Sequence, residues 1–302
     1  MKNLLIIGGT GFFGKSIIDS FLRKKLDKFQ IKNLIVLSRS AELFLEQNPS
    51  FISPNIKFLN GDITLINKLP YSDIVIHAAT SSKQINYINN SNREKENTEK
   101  GVLNYLRLAK KYHKNSKIVY CSSGAVYGKQ PSDILNIKEN YPFQDINNMS
   151  DLKREYALSK RNAEKSFINS GQDGLNISIA RCFAFYGKYL PEDGHFAYAS
   201  FLKSAKEGND IIVNANHEVI RSYMRADDLV DSLINISLTA NESCPTYNVG
   251  SDLPVSIFSL AAQIAEEYNV KVKTKNDINF DKVDRYVPNT DKLKNLVKSL
   301  LI

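Results

Sequence analysis

The feature that most constrains this chain is a short apolar run, Asn3–Ile7, that ends directly in the glycine-rich segment Gly8–Gly14 (GGTGFFG) and then opens into a helical pattern reaching about Lys25. Gly8, Gly11 and Gly14 are spaced G-x-x-G-x-x-G. A buried strand that hands over to a helix this quickly needs a tight turn, and missing Cβ atoms let the backbone approach a ligand closely. The helix N-terminus adds unpaired N–H donors and partial positive charge. Together these point to a dinucleotide whose pyrophosphate is held by Gly8, Thr10, Gly11, Phe12, Phe13 and Gly14. A tight structural turn without a ligand is the plainer alternative.

Similar apolar runs recur at Asn33–Leu37, Ile56–Leu59, Asp73–Ala79, Lys117–Ser122 and Ile177–Phe183. They are β-branched and apolar on both faces, as strands buried inside a parallel sheet must be. Helical patterns lie between them, at Lys95–Tyr112 (with Val102, Leu103, Leu106 and Ala109 on one stripe) and at Leu152–Asn169. Strand–helix alternation predicts an α/β fold, a doubly wound parallel-sheet Rossmann domain. The pattern loosens after about Gly187. The expected division is residues 1–187 as the dinucleotide-binding domain, with some later segments returning to it, and 188–302 as mainly a smaller mixed α/β substrate lobe packed on the carboxyl edge of the sheet.

Composition narrows the function classes. The chain has 302 residues, 42% of them hydrophobic and 24% charged, which is ordinary for a globular protein. No apolar run approaches the roughly 20 residues of a membrane helix, and Leu4–Ile7 is too short for the core of a signal peptide. A cytoplasmic protein with no membrane partner is expected. The net charge of +8 is scattered, and Arg23–Lys25 reads as a solvated helix face. A nucleic-acid partner is not expected, whereas a phosphorylated small molecule suits the charge. Cys121, Cys182 and Cys244 lack zinc or redox spacing, and the four His are scattered, so no metal is expected.

The end of the second strand bears on the cofactor. Folds that take NAD usually place a carboxylate there, about 20 residues beyond the glycine loop, against the ribose hydroxyls. This chain reads Ser38, Arg39, Ser40, and its next carboxylate is Glu42. A guanidinium flanked by hydroxyls suits the 2′-phosphate of NADP(H), so NADPH is expected and NAD is the less favoured cofactor. The alternative is an Arg39 that only faces solvent.

Tyr156 and Lys160, in YALSK, fall on one face of the Leu152–Asn169 helix through their i, i+4 spacing. Of the fifteen tyrosines only Tyr156 has a Lys four positions later. Upstream, Tyr120–Gly128 (YCSSGAVYG) places hydroxyls at the carboxyl end of the fifth strand, where ligands bind in such sheets. With these motifs in hand, the sequence resembles the extended short-chain dehydrogenase/reductase family (NAD-dependent epimerase/dehydratase), in its nucleotide-sugar branch. Further landmarks of the resemblance are Gly61–Ile63, His77–Thr80, Asn97, Arg181–Gly187, Arg221–Leu229, Tyr247–Ser251 and Arg285–Thr290, so that it covers nearly the whole chain.

The resemblance implies that Ser123, Tyr156 and Lys160 are catalytic. It also implies that Asp62 and Ile63 lie by the adenine, and that Ala78, Ala79 and Thr80 line the middle of the cofactor. Chemically, a phenol with a pKa of about 10 is a poor proton donor at neutral pH. A neighbouring ammonium is expected to make it more acidic, Lys160 also holding the nicotinamide ribose, while Ser123 bonds the substrate oxygen.

Among the family's reactions, 4,6-dehydratases carry an Asp–Glu pair just after the catalytic hydroxyl. Here those positions are Gly124 and Ala125, which disfavours dehydration. The leading expectation is NADPH-dependent reduction of the 4-keto group of a nucleotide-diphospho-4-keto-6-deoxyhexose, yielding a 6-deoxy sugar nucleotide for surface polysaccharide such as lipopolysaccharide or capsule. A nucleotide-sugar 4-epimerase is the alternative, and a non-enzymatic NADP(H)-sensing scaffold is the second. Arg221 and Arg285 are the candidate pyrophosphate ligands, with Arg225 structural, bound to Asp227 or Asp228. His195 sits in a loop expected to overhang the sugar. A Cys182/His195 acid–base pair is disfavoured because Cys182 lies inside the sixth-strand motif, and Ala184 stands where the family often has Asn. By resemblance, the Lys95–Tyr112 and Leu152–Asn169 helices pair across the axis of a homodimer.

Overall fold

A sequence of strands that are apolar on both faces can be buried only between two layers of helices, and the chain folds that way. The computed structural model describes residues 1–80, 84–192 and 196–300, with backbone alone for 84–89. In chain order the strands are β1 (Lys2–Ile7), β2 (Ile31–Ser38), β3 (Ile56–Asn60), β4 (Ile74–His77), β5 (Lys117–Ser123), β6 (Asn176–Cys182), β7 (Phe185–Tyr186), β8 (Ile211–Val213), β9 (His217–Arg221), β10 (Met224–Arg225), β11 (Thr246–Val249), β12 (Val255–Ser256), β13 (Val272–Thr274) and β14 (Asn279–Tyr286). The helices are α1 (Phe12–Leu22), α2 (Ala41–Gln47), α3 (Gln84–Tyr112), α4 (Asp151–Gln172), α5 (Ala197–Lys206), α6 (Ala226–Leu238), α7 (Ile257–Tyr268) and α8 (Asp291–Ser299).

Seven strands form one parallel sheet in the order β11–β6–β5–β4–β1–β2–β3. This is the doubly wound Rossmann architecture. The strand order reverses between β1 and β4, so the loops after Ile7 and His77, which are register partners, open a crevice at the carboxyl edge. Ile17 and Ile18 of α1 and Leu229, Val230 and Leu233 of α6 bury one face of the sheet. Val102, Tyr105 and Leu106 of α3 and Ala163 and Phe167 of α4 bury the other. Within α3, Asn90 is non-helical, so the element is two helices joined at a kink.

The sequence pattern loosens after Gly187 because the chain alternates between two bodies. β11 adds the seventh strand to the main sheet, and α6 and α8 pack against that layer. Ala226–Leu238 and Thr246–Val249 therefore belong with the sheet, although they follow the loop that opens the second body. That body contains the three-stranded β12–β9–β14 sheet, the β13–β8 pair, α5 and α7, around a core of Phe201, Ile211, Val213, Leu260 and Ile264. The chain just after β14 is tied to the segment that follows β5: Ile137 N–H donates to Val287 O at 3.0 Å and Val287 N–H to Gln130 Oε1 at 2.9 Å.

Candidate active site

The glycine loop shows which positions the protein itself needs empty. Gly8 has φ +85, and a Cβ there would lie 2.6 Å from Ala79 Cα; one on Gly14 would lie 2.0 Å from Gly9 O. These glycines let β1, β4 and α1 close together. Gly11 differs, because a Cβ would meet only Gly8 O at 3.7 Å, so the protein's own atoms leave its outer side open. Gly11 caps α1, no side chain caps the first turn, and no acidic residue lies in that turn. The N–H groups of Phe12, Phe13 and Gly14 are thus available to an anion. Across the crevice, Thr80 Oγ1 is buried without a hydrogen-bond partner among the described residues. An open glycine, an uncapped helix start and an unsatisfied buried hydroxyl fit a dinucleotide.

At the end of β2 the three candidate residues separate. Ser38 is buried, its hydroxyl 2.8 Å from Thr10 Oγ1 and accepting from Ser40 N–H at 3.4 Å. It shapes the turn and is not a free ligand. Arg39 and Ser40 are exposed, and among the described residues Arg39 forms no ion pair. Asp62 Oδ1 accepts from the backbone and side chain of Thr64, each at 2.8 Å, while Asn104 donates to the carbonyls of Ile63 and Ile66, each at 2.8 Å. The Asp62–Ile63 turn is therefore fixed before any ligand arrives.

The structure brings Ser123, Tyr156 and Lys160 together. Ser123 ends β5, where its Oγ accepts from Ala125 N–H at 3.2 Å. Tyr156 and Lys160 lie on the face of α4 turned to that strand end, with the Tyr156 phenol near Ser123. Lys160 is 2% exposed, donates to Cys121 O at 3.0 Å, and holds its Nζ 5.8 Å from the centre of the Tyr156 ring. The expected acidification of the phenol is not found. Burial pushes the Tyr156 pKa up, the nearby Ser123 hydroxyl opposes that rise, and the Lys160 ammonium is directed at a carbonyl. The phenol stays protonated at neutral pH.

Behind these residues lies a buried polar network. Ser122 donates to Glu164 Oε1 at 2.5 Å, and Arg181 binds both oxygens of Glu164, Nε to Oε1 at 3.0 Å and Nη2 to Oε2 at 2.8 Å. Arg181 also donates to Tyr127 Oη at 2.9 Å, and Tyr127 donates to Asn248 Oδ1 at 2.8 Å. Burial works against the charge on Arg181, but the hydrogen bond and charge of Glu164 outweigh it, so the guanidinium pKa is raised. β5, β6, α4 and β11 are locked together directly beneath Ser123. Arg181 was visible in the sequence only as a landmark.

The substrate-side arginines fare differently. Arg221 is engaged by Asp284, through Nη2 to Oδ2 at 2.9 Å and Nη1 to the backbone oxygen at 2.9 Å, so its fork is already occupied. The pairing arises because β9 and β14 lie side by side, which the sequence does not show. Arg285 is half-buried, and its Nε has no hydrogen-bond partner among the described residues, a donor that an anion would satisfy. Arg225 lies 3.5 Å from Asp227 and 3.9 Å from Asp228, but Asp227 is held more closely by Arg23 and Lys25. Cys182 is 5% exposed and burial pushes its thiol well above the usual range, which leaves it unreactive. His195 lies outside the described residues.

Sequence reasoning missed Tyr286. Its ring packs tilted against Phe183 with centroids 4.6 Å apart, and its hydroxyl stands 2.6 Å from where a Cβ of Gly124 would be, next to Ser123 in the chain. Arg285, one residue earlier, drew the attention, but alternation along a strand sends neighbours to opposite faces, and it is Tyr286 that packs beside Gly124. Elsewhere, a cavity of about 390 Å³ lies between α1 and the start of α6, lined in part by Asp19, Arg23, Arg225 and Asp227 and by none of Ser123, Tyr156 and Lys160. Among the described residues no group of His, Cys, Asp and Glu is gathered as for a metal, and no helix is long and apolar enough to cross a membrane.

Comparison with known proteins follows the same lines. The sequence model described as the NAD dependent epimerase/dehydratase family matches residues 4–250. The chain is 26% identical over 277 residues to UDP-glucuronic acid decarboxylase 3 of Arabidopsis thaliana, covering 90% of this chain and 76% of that protein. It is 27% identical over 272 residues to a putative UDP-glucose 4-epimerase of Methanocaldococcus jannaschii, covering 87% and 82%. Among solved structures, the dTDP-glucose 4,6-dehydratase DesIV of Streptomyces venezuelae, crystallised with NAD, superposes with a TM-score of 0.80 at 20% identity over 97% of this chain and 90% of that one. A UDP-N-acetylglucosamine 4-epimerase of Methanobrevibacter ruminantium gives 0.80 at 20% identity over 98% and 91%.

Proposed function

The chain belongs to the NAD dependent epimerase/dehydratase family, and from that premise we propose that it is an NADPH-dependent reductase of the 4-keto group of a nucleotide-diphospho-4-keto-6-deoxyhexose. The observation that carries this reading is the end of β2, where an exposed guanidinium at Arg39, with no ion pair among the described residues, stands in place of a carboxylate. A carboxylate there would repel the 2′-phosphate of NADPH, and a guanidinium binds it. NADPH in turn suits a net reduction, in which the cofactor is exchanged at every turnover. The protonated state of Tyr156 agrees, since reduction of a carbonyl needs a proton donor. Dehydration has little support. Gly124 and Ala125 carry no acid, and the space beside Gly124 is filled by Tyr286 and the Phe183 ring.

In this reading Gly11 and the first turn of α1 hold the pyrophosphate, Arg39 the 2′-phosphate, Asp62–Ile63 the adenine side and Ala78–Thr80 the middle of the cofactor. The bound cofactor supplies the hydride. Ser123 donates a hydrogen bond to the keto oxygen as negative charge gathers there, and Tyr156 gives that oxygen its proton. Lys160, anchored on Cys121 O, keeps the phenol and the nicotinamide ribose in register. Arg285 is the diphosphate ligand that the lobe offers. A homodimer through α3 and α4, where Leu103 is 60% exposed, is part of the proposal and is read by sedimentation equilibrium.

The test is direct. Purified protein given dTDP-, CDP-, GDP- or UDP-4-keto-6-deoxyhexose is expected to consume NADPH in step with product. A second reading, nucleotide-sugar 4-epimerisation, draws on the putative epimerase relative. It predicts isomer formation with no net loss of NADPH, and that outcome would replace the first. Arg39→Ala is expected to raise KM for NADPH about 10–100-fold, the equivalent of one or two charge-assisted hydrogen bonds, and to leave KM for NADH unchanged. Equal effects on both cofactors would remove Arg39 from the 2′-phosphate site.

A further inference from the structure

Lys160 is a buried ammonium that no carboxylate accompanies. It is 2% exposed, and its contacts among the described residues are one carbonyl and two rings: Cys121 O at 3.0 Å, the Tyr120 ring with its centre 5.2 Å from Nζ, and the Tyr156 ring at 5.8 Å. Glu164, one helical turn further along α4, is held by Ser122 and Arg181 instead. An ammonium taken out of water needs partners that replace its hydration. One carbonyl accepts only one of its three N–H groups, so the ring faces carry much of what remains.

Tyr120 is fixed by its surroundings. It is buried in β5, and Phe167 stacks on its ring with centres 4.3 Å apart and 18° between the planes. Its hydroxyl has no hydrogen-bond partner among the described residues, so what it offers Lys160 is its face. His77 packs beside it at 5.9 Å, and burial, together with the Lys160 charge, pushes the imidazole pKa down to about 3, so no second cation competes for the ring. We propose that Tyr120 is a positioning residue of the catalytic centre: its ring face, together with the Cys121 carbonyl next to it in β5, seats the Lys160 ammonium where a carboxylate would otherwise be needed. A carboxylate would neutralise the ammonium and take up its N–H groups. A ring face attracts the charge and leaves two N–H groups for the nicotinamide ribose. One strand thus supplies both halves of the seat, and α4 supplies the cation.

This inference rests on Lys160 belonging to the catalytic set of the proposed reductase, and its first readout needs no turnover. Full-length protein is made with phenylalanine, 4-fluoro-, 3,5-difluoro- or 3,4,5-trifluorophenylalanine at position 120. The series keeps the ring and its stacking and weakens the pull of its face stepwise. The midpoint of thermal unfolding is expected to fall along the series by about 2–4 °C, and with Lys160→Met the trend is expected to vanish. Affinity for NADPH and NADH alike, read by calorimetry, is expected to fall in step, about tenfold in all. With a 4-keto sugar nucleotide, Tyr120→Leu is expected to lower kcat about tenfold with KM for the sugar unchanged, and the conservative Tyr120→Phe to rescue it. Equal stability trends with and without Lys160 overturn the proposal, as does a cofactor affinity that stays flat along the series. A wild-type protein that binds the cofactor and turns over no 4-keto sugar sinks the reductase reading, while the stability and binding trends still decide the role of Tyr120.

Discussion

Tyr156→Phe is expected to lower kcat by about 10²–10⁴-fold, the usual worth of a positioned proton donor, with NADPH affinity unchanged. The substitution removes one oxygen and keeps the ring over which Lys160 sits at 5.8 Å. Lys160 remains anchored on Cys121 O, and the glycine loop, Thr80 and Arg39 are untouched, so the cofactor site survives. Cofactor fluorescence or calorimetry reads binding, and consumption of NADPH with a 4-keto sugar nucleotide reads turnover. The pH dependence adds a sign. A donor must be protonated, and burial raises the Tyr156 pKa, so reduction should persist into alkaline solution and fall only as pH passes that raised value. Full activity in the variant would falsify the role given to the phenol and would favour a cofactor-binding scaffold.

Glu164→Ala is expected to cost about 3–5 kcal/mol of stability, the penalty for leaving a buried charge without its partner. Glu164 and Arg181 are 3% and 8% exposed, and the carboxylate accepts from both Arg181 and Ser122. Removing it strands the Arg181 guanidinium beneath β5 and releases the strand end that carries Ser123. The midpoint of thermal unfolding should drop by roughly 10 °C. Replacing the pair by apolar residues of similar volume, Glu164→Leu with Arg181→Met, should recover most of the loss, because buried pairs and well-packed hydrophobes are often close in energy. A single variant as stable as wild type would mean that water reaches Arg181.

The parallel sheet was legible because each of its first six strands is a local run with both faces apolar, and the glycine spacing marks the β1–α1 turn. Tyr156 and Lys160 were legible because helical periodicity places i and i+4 side by side. The assignment of Ala226–Leu238 and Thr246–Val249 to the main sheet was harder to read, since a returning helix and strand carry the same composition as those of a separate lobe. Arg221 looked like a ligand because a guanidinium in sequence has no partner; its partner, Asp284, comes from a strand distant in the chain.

What the amino-acid order determined by itself was everything set by neighbours a few residues apart: the tight glycine turn, the layered sheet, the hydroxyl at the end of β5 and the Tyr–Lys face of α4. Only the tertiary structure decided how those groups behave. Burial keeps the Tyr156 phenol protonated, the Cys121 carbonyl draws the Lys160 ammonium away from it, and β14 delivers Tyr286 to the backbone of Gly124. Desolvation and hydrogen-bond direction depend on which distant segments pack together, and no local pattern carries that information.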